Sequence, residues 1–150
     1  MLTAVGGAVV VSTSGNAVVA SSSGVVSTIT SSQQLDRYDS DYKSSPKGIK
    51  VDGAILISDS AVVSVATAGA GGEGVESKHS IEITGGQLTV DATDDAINAS
   101  YETSTGGTGD INISGGFVYA RSTGNDGMDS NGNCYIKGGV VYAIGSSQPE

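Results

Sequence analysis

The chain has 150 residues, 23 of them glycine, and a net charge of −9 from 16 acidic and 7 basic side chains. This charge excludes a nucleic-acid-binding protein, which would present a basic stripe. No run of 18 apolar residues occurs, so the sequence predicts no membrane-spanning helix. The length suits one domain, and the regular alternation of Val and Ile argues against the disorder that a glycine-rich composition suggests.

Residues 1–37 hold a weak copy of the pattern that dominates the rest of the chain. Two runs match later ones, 6–11 with 115–120 and 14–21 with 123–130. We therefore expect a degenerate first coil and lead-in, with Ala17 and Ala20 standing where later coils carry polar residues. The apolar residues 2–11 are too few, and lack the basic flank, to predict a signal peptide.

Residues 38–150 repeat a phrase of one polar, one small, one apolar and one polar residue. The four copies are Lys47-Gly48-Ile49-Lys50, Glu73-Gly74-Val75-Glu76, Asp95-Ala96-Ile97-Asn98 and Asp126-Gly127-Met128-Asp129. Each is followed by two short alternating runs of Val, Ile, Thr or Tyr, separated by Gly-Gly or an equivalent turn. The apolar members are 26, 22 and 31 residues apart, and no helical periodicity accompanies them.

This pattern predicts an all-β protein, a right-handed parallel β-helix of about five coils that forms one domain over residues 1–150. The insertion at residues 101–109 should form a loop on one face. Neither end has the polar cap that a solenoid needs, so we expect the chain to be a fragment of a longer solenoid. We expect Cys134 to be a buried apolar thiol, because it occupies the slot of Ile111 one coil earlier.

Stacked coils place the polar members of the phrase in two columns. The first column is Ala17, Lys47, Glu73, Asp95 and Asp126, and the second is Ala20, Lys50, Glu76, Asn98 and Asp129. Two carboxylates one rung apart repel by about 3 kcal/mol at an effective dielectric constant of 20. Only hard oxygen ligands are offered, which favours Ca²⁺ over zinc or copper, and we expect one or two ions between adjacent coils. The alternative is a solvated acidic ridge in which Lys47 and Lys50 pair with Glu73 and Glu76.

The four phrases and their flanks, from Ser45-Pro46 to Asn131-Gly132, resemble a family of secreted bacterial carbohydrate-binding proteins. The resemblance covers about residues 38–150. It implies a right-handed parallel β-helix akin to calcium-dependent pectate lyases, a secreted or cell-surface location, and binding of cellulose or acidic plant polysaccharide. It also implies calcium ligands among Glu73, Glu76, Asp94, Asp95, Asn98, Asp126 and Asp129, and a domain that continues beyond Glu150.

Two physical routes could hold a polysaccharide. A bound Ca²⁺ can bridge protein carboxylates to a uronate carboxylate. Alternatively, Tyr119 and Tyr142 occupy matching outward positions in successive coils and could stack on sugar rings, although an ordinary aromatic ladder would look the same. Arg121 aligns with Asp91 one coil below, which predicts a surface ion pair.

Two other functions are compatible with the sequence. Lys47, Lys50 and Lys78 border the acidic columns. A calcium-dependent pectate lyase would use Lys47 or Lys50 as its base, but acidic neighbours make a lysine a poorer base at neutral pH. We therefore favour a binding module over an enzyme. The third possibility is a structural or adhesive surface solenoid in which calcium serves only rigidity.

Overall fold

The computed structural model describes residues 47–147 in full and, upstream of them, the backbone of six short strands. These six are β1 (Leu2–Val5), β2 (Ala8–Val11), β3 (Ala17–Ser21), β4 (Ile29–Ser31), β5 (Leu35–Asp36) and β6 (Lys43–Ser44). The next six are β7 (Lys47–Val51), β8 (Ala54–Ser58), β9 (Val62–Thr67), β10 (Glu73–Ser77), β11 (Ser80–Ile83) and β12 (Gln87–Ala92). The last six are β13 (Ile97–Ala99), β14 (Asp110–Ile113), β15 (Phe117–Ser122), β16 (Met128–Ser130), β17 (Cys134–Ile136) and β18 (Val140–Ile144).

Every third strand from β7 onward joins the same parallel sheet, so the chain winds as a solenoid. Sheet 1 has the order β7-β10-β13-β16, sheet 2 contains β8-β11-β14-β17, and sheet 3 contains β9-β12-β15-β18. Residues 47–147 therefore make about four coils of three strands each. This confirms the predicted parallel β-solenoid, while the hand of the coil stays a prediction.

The core lies between the three sheets and is built from alternate residues of every strand. Ile81 and Ile83 in β11 stack on Ile55 and Ile57 below and on Ile111 and Ile113 above, and all six are at most 2% exposed. Burying a side chain of this size contributes roughly 1.5–3 kcal/mol. Stacked rows of branched side chains thus provide the buried apolar area in a chain that has few aromatic residues.

The small residue of each phrase is fixed by close packing against sheet 3. A Cβ on Gly74 would overlap the side chain of Val90 and lie 2.5 Å from the carbonyl oxygen of Ala96. One coil later the phrase carries Ala96, and the residue in register with Val90 is Ala120. Where the phrase has Ala in place of Gly, sheet 3 has Ala in place of Val, as close-packed cores require.

The turn between sheets 2 and 3 needs a left-handed backbone. Gly86, Gly116 and Gly139 have φ values of 74°, 83° and 83°, and a Cβ on Gly116 would lie 2.7 Å from the carbonyl oxygen of Gly85. In the first coil the same turn uses Asp59, at φ 55°, which is one of the few residue types that tolerate this region. The Gly-Gly signal read from the sequence therefore marks the corner of each coil.

The upstream strands do not form the predicted first coil. β1 and β2 pair in antiparallel fashion, and β3 pairs with β8 so that Ala17 lies opposite Ala54. Ala17 and Ala20 therefore belong to sheet 2 and not to the two polar columns, so that part of the alignment is wrong. A Val-rich run without polar landmarks specifies its register weakly, because a shift of one residue still presents an apolar face.

The insertion and the last coil complete the described part. The insertion contains a 3₁₀ turn at Thr103–Thr105, and no helix among the described residues is long and apolar enough to cross a membrane. Cys134 pairs with Ile111 as the alignment requires, but it is exposed. The prediction of a buried thiol is wrong because no coil in the described structure covers β17, whose neighbours Ile136 and Tyr135 are 55% and 42% exposed.

Candidate functional site

The two polar columns run along sheet 1, in the register that the phrase predicts from residue 47 onward. Glu73 pairs with Lys47, and Glu76 pairs with Lys50 below and Asn98 above. Asn98 in turn pairs with Asp129. The N–H of Gly74 donates to Asp95 O (2.9 Å) and that of Ala96 to Asp126 O (3.0 Å), which continues the first column just before the strands begin. The columns thus divide into two clusters of different charge.

The lower two coils hold the lysine cluster, which consists of Lys47, Lys50, Lys78, Glu73 and Glu76. Glu76 is 2% exposed, and its Oε1 lies 2.6 Å from Lys78 Nζ while its Oε2 lies 2.9 Å from Lys50 Nζ and 3.7 Å from Lys47 Nζ. Lys47 Nζ also lies 2.6 Å from Glu73 Oε1. The ion pairs of the solvated-ridge alternative are therefore present, with Lys78 as a further member.

Burial and ion pairing act in opposite directions on the two glutamates. Burial alone would raise the pKa of Glu76, but the bonds from Lys78 and Lys50 outweigh it and lower that pKa to about 2. Burial raises the pKa of Glu73 to about 7 despite Lys47, and the charge of Glu76 adds to the rise. Glu73 Oε2 is buried and accepts no hydrogen bond from the part of the chain that the structure describes. The lysines therefore outweigh the effect of burial at Glu76 but not at Glu73.

The upper two coils hold the acidic cluster, which consists of Asp94, Asp95, Asn98, Asp126 and Asp129. Asp95 Oδ1 accepts from the Asp126 N–H (3.2 Å), and Asp95 Oδ2 lies 3.5 Å from Asn98 Nδ2. Asp95, Asn98 and Asp126 are only 5%, 7% and 5% exposed. Within residues 47–147, no lysine or arginine forms an ion pair with Asp94, Asp95 or Asp126.

The acidic cluster contains oxygen atoms that residues 47–147 leave unsatisfied. Asn98 Oδ1 and Asp126 Oδ1 are buried and accept no hydrogen bond from any described residue. Burial raises the pKa of Asp95 to about 6; the Asp126 N–H opposes this rise, and the charges of Asp94, Asp129 and Asp126 add to it. Buried oxygens without donors are costly, and a divalent cation is the kind of group that such oxygens fit. Among the described residues, no three acidic, histidine or cysteine side chains converge as a ready-made metal centre.

The outer face of sheet 3 carries the predicted tyrosines. Tyr119 and Tyr142 are in register, with ring centroids 6.4 Å apart, and Phe117 lies 6.0 Å from Tyr142. Tyr142 is 52% exposed, so its ring is accessible to a ligand. Beside them Arg121 Nη1 lies 3.1 Å from Asp91 Oδ2, which confirms the predicted surface ion pair.

The sequence places Lys78 beside the acidic columns, but Lys78 follows the second polar position of its phrase by two residues, so the column alignment does not bring it to Glu76. Sequence reasoning missed two other members of these sites. Phe117 precedes the Tyr119 position by two and therefore shares its face of β15, which alternation alone could have shown. Ser100 also reaches Glu76, with its hydroxyl 3.3 Å from Oε1.

Parallel coils, a polar edge with unsatisfied oxygens and exposed aromatic rings define a solenoid suited to binding a polar, ring-shaped ligand. The family described as "Carbohydrate-binding domain-containing protein" matches residues 44–149, which is well over half of the chain's 150 residues. The chain therefore belongs to this family, and it is a carbohydrate-binding domain. None of the curated proteins and none of the solved structures matches it.

Proposed function

We propose that this domain binds plant cell-wall polysaccharide in a calcium-dependent manner, with acidic pectin-type sugars or cellulose as its ligands. The observation that carries the calcium part is the acidic cluster. Within residues 47–147, buried oxygens of Asn98 and Asp126 find no donor, and no lysine or arginine pairs with Asp95 or Asp126. A secreted or cell-surface location, and a right-handed build akin to calcium-dependent pectate lyases, are part of the same proposal.

Asp95, Asn98 and Asp126 would hold the ion, with Asp94 and Asp129 beside them. The donor set consists of carboxylate and amide oxygens, which Ca²⁺ prefers, and backbone carbonyls and water can complete the six to eight ligands that it takes. Side chains of adjacent coils would turn toward a common point, since they do not converge in the present arrangement. When bound, Ca²⁺ supplies positive charge and open coordination positions to a sugar carboxylate.

The lysine cluster is a poorer place for a cation. Both oxygens of Glu76 are engaged by lysines, and a divalent ion would have to displace them. Glu73 Oε2 has no hydrogen-bond partner among the described side chains and backbone, and Glu73 lies directly below Asp95 in the first column. We therefore keep Glu73 as a supplementary ligand and assign Glu76 to the ion-pair network.

The tyrosines offer the second contact with sugar. Tyr119, Tyr142 and Phe117 form an aromatic patch over two coils of sheet 3, and aromatic side chains bury large apolar areas against ring-shaped partners. Thr89 and Ser64 take the Tyr119 position in the two lower coils. The aromatic patch therefore lies in the same two coils as the acidic cluster, which favours a ligand held near that end.

A lyase reaction is disfavoured by the contacts of its candidate bases. Lys47 and Lys50 both form ion pairs with Glu76, so the ammonium group of each is already engaged by a carboxylate of the protein. A lyase would release an unsaturated product from polygalacturonate that absorbs ultraviolet light. If the parent protein forms this product and Lys47→Ala or Lys50→Ala does not, the chain is a lyase and the binding proposal is wrong.

The direct test is calorimetric titration with CaCl₂, followed by trigalacturonate. We expect Asp126→Asn to weaken calcium binding at least tenfold, about 1.4 kcal/mol, and to weaken trigalacturonate binding with it. The matched control is Glu82→Gln, which removes one exposed carboxylate from sheet 2 and should change neither. Calcium binding that survives Asp126→Asn would remove the acidic cluster from the proposal. Calcium binding without any polysaccharide binding would instead favour a purely structural solenoid.

A further inference from the structure

A polar groove lies outside both clusters, at the corner between sheets 1 and 2. It has a volume of about 510 Å³ and is lined by Asp52, His79, Glu102, Ser104 and Thr105, among others. This volume is within the range of small-molecule sites. The groove lies at the end of the sheet 1 strands, whereas the acidic cluster lies around their start.

The floor of the groove is held rigidly by a buried hydroxyl. Ser77 is completely inaccessible, and its Oγ lies 2.9 Å from Gly53 O and 3.0 Å from Ser80 O. The same Oγ accepts from the N–H groups of His79 and Ser80, both at 3.0 Å. One side chain thus fixes the turn before β11 against the turn of the coil below, so His79 is positioned before any ligand arrives.

The wall of the groove is the insertion, and it is fastened to the same turn. Thr105 Oγ1 lies 2.6 Å from Lys78 O, and Gly109 N–H donates to His79 O (2.8 Å). Gly107 is buried against His79, where a Cβ would overlap the backbone. The insertion is therefore a fixed wall and not a free loop, which lowers the entropic cost of ligand binding.

The lining groups suit hydroxyl groups better than they suit an anion. Asp52 and Glu102 offer carboxylate acceptors, and Ser104 offers a hydroxyl. His79 Nδ1 lies 3.0 Å from Ser80 Oγ, which leaves Nε2 of that ring for a ligand. Lys78 Nζ contacts Glu76 closely and lies 3.8 Å from Glu102, so its charge is taken up mainly by Glu76. The two lining carboxylates, Asp52 and Glu102, would therefore repel a uronate.

We propose that this groove is a second saccharide site, which takes a neutral oligosaccharide without calcium. The inference rests on the proposed function only for its ligand class, because a carbohydrate-binding domain makes a sugar the natural polyhydroxyl ligand. Its location, its neutrality and its independence of metal come from the groove itself. A polysaccharide with both neutral and acidic segments could then contact the domain at opposite ends of the sheet 1 strands.

The experiment is titration of the whole chain in EDTA with cellohexaose, xylohexaose, mannohexaose and a galactan hexasaccharide. We expect at least one to bind, and we expect His79→Ala and Ser104→Arg each to weaken that binding at least tenfold. Ser104 is exposed, so its replacement narrows the groove without touching the core. Amide resonances of Gly53, His79 and Thr105 should shift during the titration. Glu82→Gln is the control and should bind as the parent does.

The outcomes separate this inference from the proposed function. If none of the four neutral sugars binds in EDTA, or if the groove variants bind as well as the parent, the groove is not a sugar site. Failure of the parent protein to bind trigalacturonate in calcium, tested separately, would count against the acidic cluster alone. Binding of a neutral sugar that moves Tyr119 and Tyr142 resonances but leaves His79 unchanged would assign it to the aromatic patch and overturn the groove.

Discussion

Glu76 is almost inaccessible to solvent yet keeps its charge, because Lys47, Lys50 and Lys78 converge on it. Removing that charge leaves three ammonium groups around a neutral amide. We expect Glu76→Gln to lower the free energy of unfolding at neutral pH by about 2 kcal/mol, less than a fully buried pair because the lysines reach solvent. Urea denaturation measures this loss, and Lys50→Met, which removes the most exposed partner, should cost under about 1 kcal/mol.

The pH dependence of that loss is a sharper check. The pKa of Glu76 falls from its ordinary 4.5 to about 2 on folding, so its contribution is complete above pH 4.5. As the pH falls from 4.5 toward 2, that contribution disappears. The difference between parent and Glu76→Gln should therefore shrink over this window. A difference that stays constant down to about pH 2 would mean that packing, and not charge, holds Glu76.

At the scale of the strand, close packing between sheets 1 and 3 sets the small residue of every phrase. Gly74→Ala places a methyl group against Val90 and the Ala96 carbonyl, and overpacking of this kind costs about 1–3 kcal/mol. Because the next coil carries Ala96 with Ala120 at these positions, Val90→Ala in the same chain should recover part of the loss. A double-mutant cycle by urea denaturation measures the coupling. Strictly additive losses would contradict the packing explanation.

Strand register could be predicted where polar residues mark the chain and not where they are lacking. From Lys47 to Asp129 the phrase has charged or amide members at both ends, so a one-residue shift would bury a charge, and the predicted columns are confirmed. Strand β3 offers only Ala and Val, and its partner β8 could not be foreseen. The sequence places Lys78 beside the acidic columns, but its direct contact with Glu76 depends on how a long side chain turns back, which no column alignment encodes.

For the whole molecule, each coil is stabilised by the coils on either side of it. The middle coils have neighbours on both sides, and Leu88, Val90, Ile111 and Ile113 are fully buried. The last described coil is packed on one side, and Val140 and Ile144 remain 50% and 43% exposed. The exposure of Cys134 follows from the same asymmetry, which the sequence pattern within one coil cannot reveal.

We therefore expect the solenoid to open locally from its last described coil. Amide hydrogen exchange in β17 and β18 should be at least tenfold faster than in β11 and β12. All four strands pair with a strand of the coil below, so the difference would come from the coil above. Mass spectrometry or NMR of the whole chain measures the rates. Uniform protection across the four coils would mean that the solenoid unfolds only as a single unit.

Cys134 gives this molecule a built-in reporter position. It is the chain's one cysteine, and it lines a small apolar recess of about 90 Å³ together with Asp126, Gly127 and Met128. Partial burial raises the pKa of its thiol, so attachment of a fluorophore would proceed best in mildly alkaline buffer. A dye at this position would sit beside one wall of the acidic cluster, and its emission could follow occupancy of that cluster in the otherwise unaltered chain.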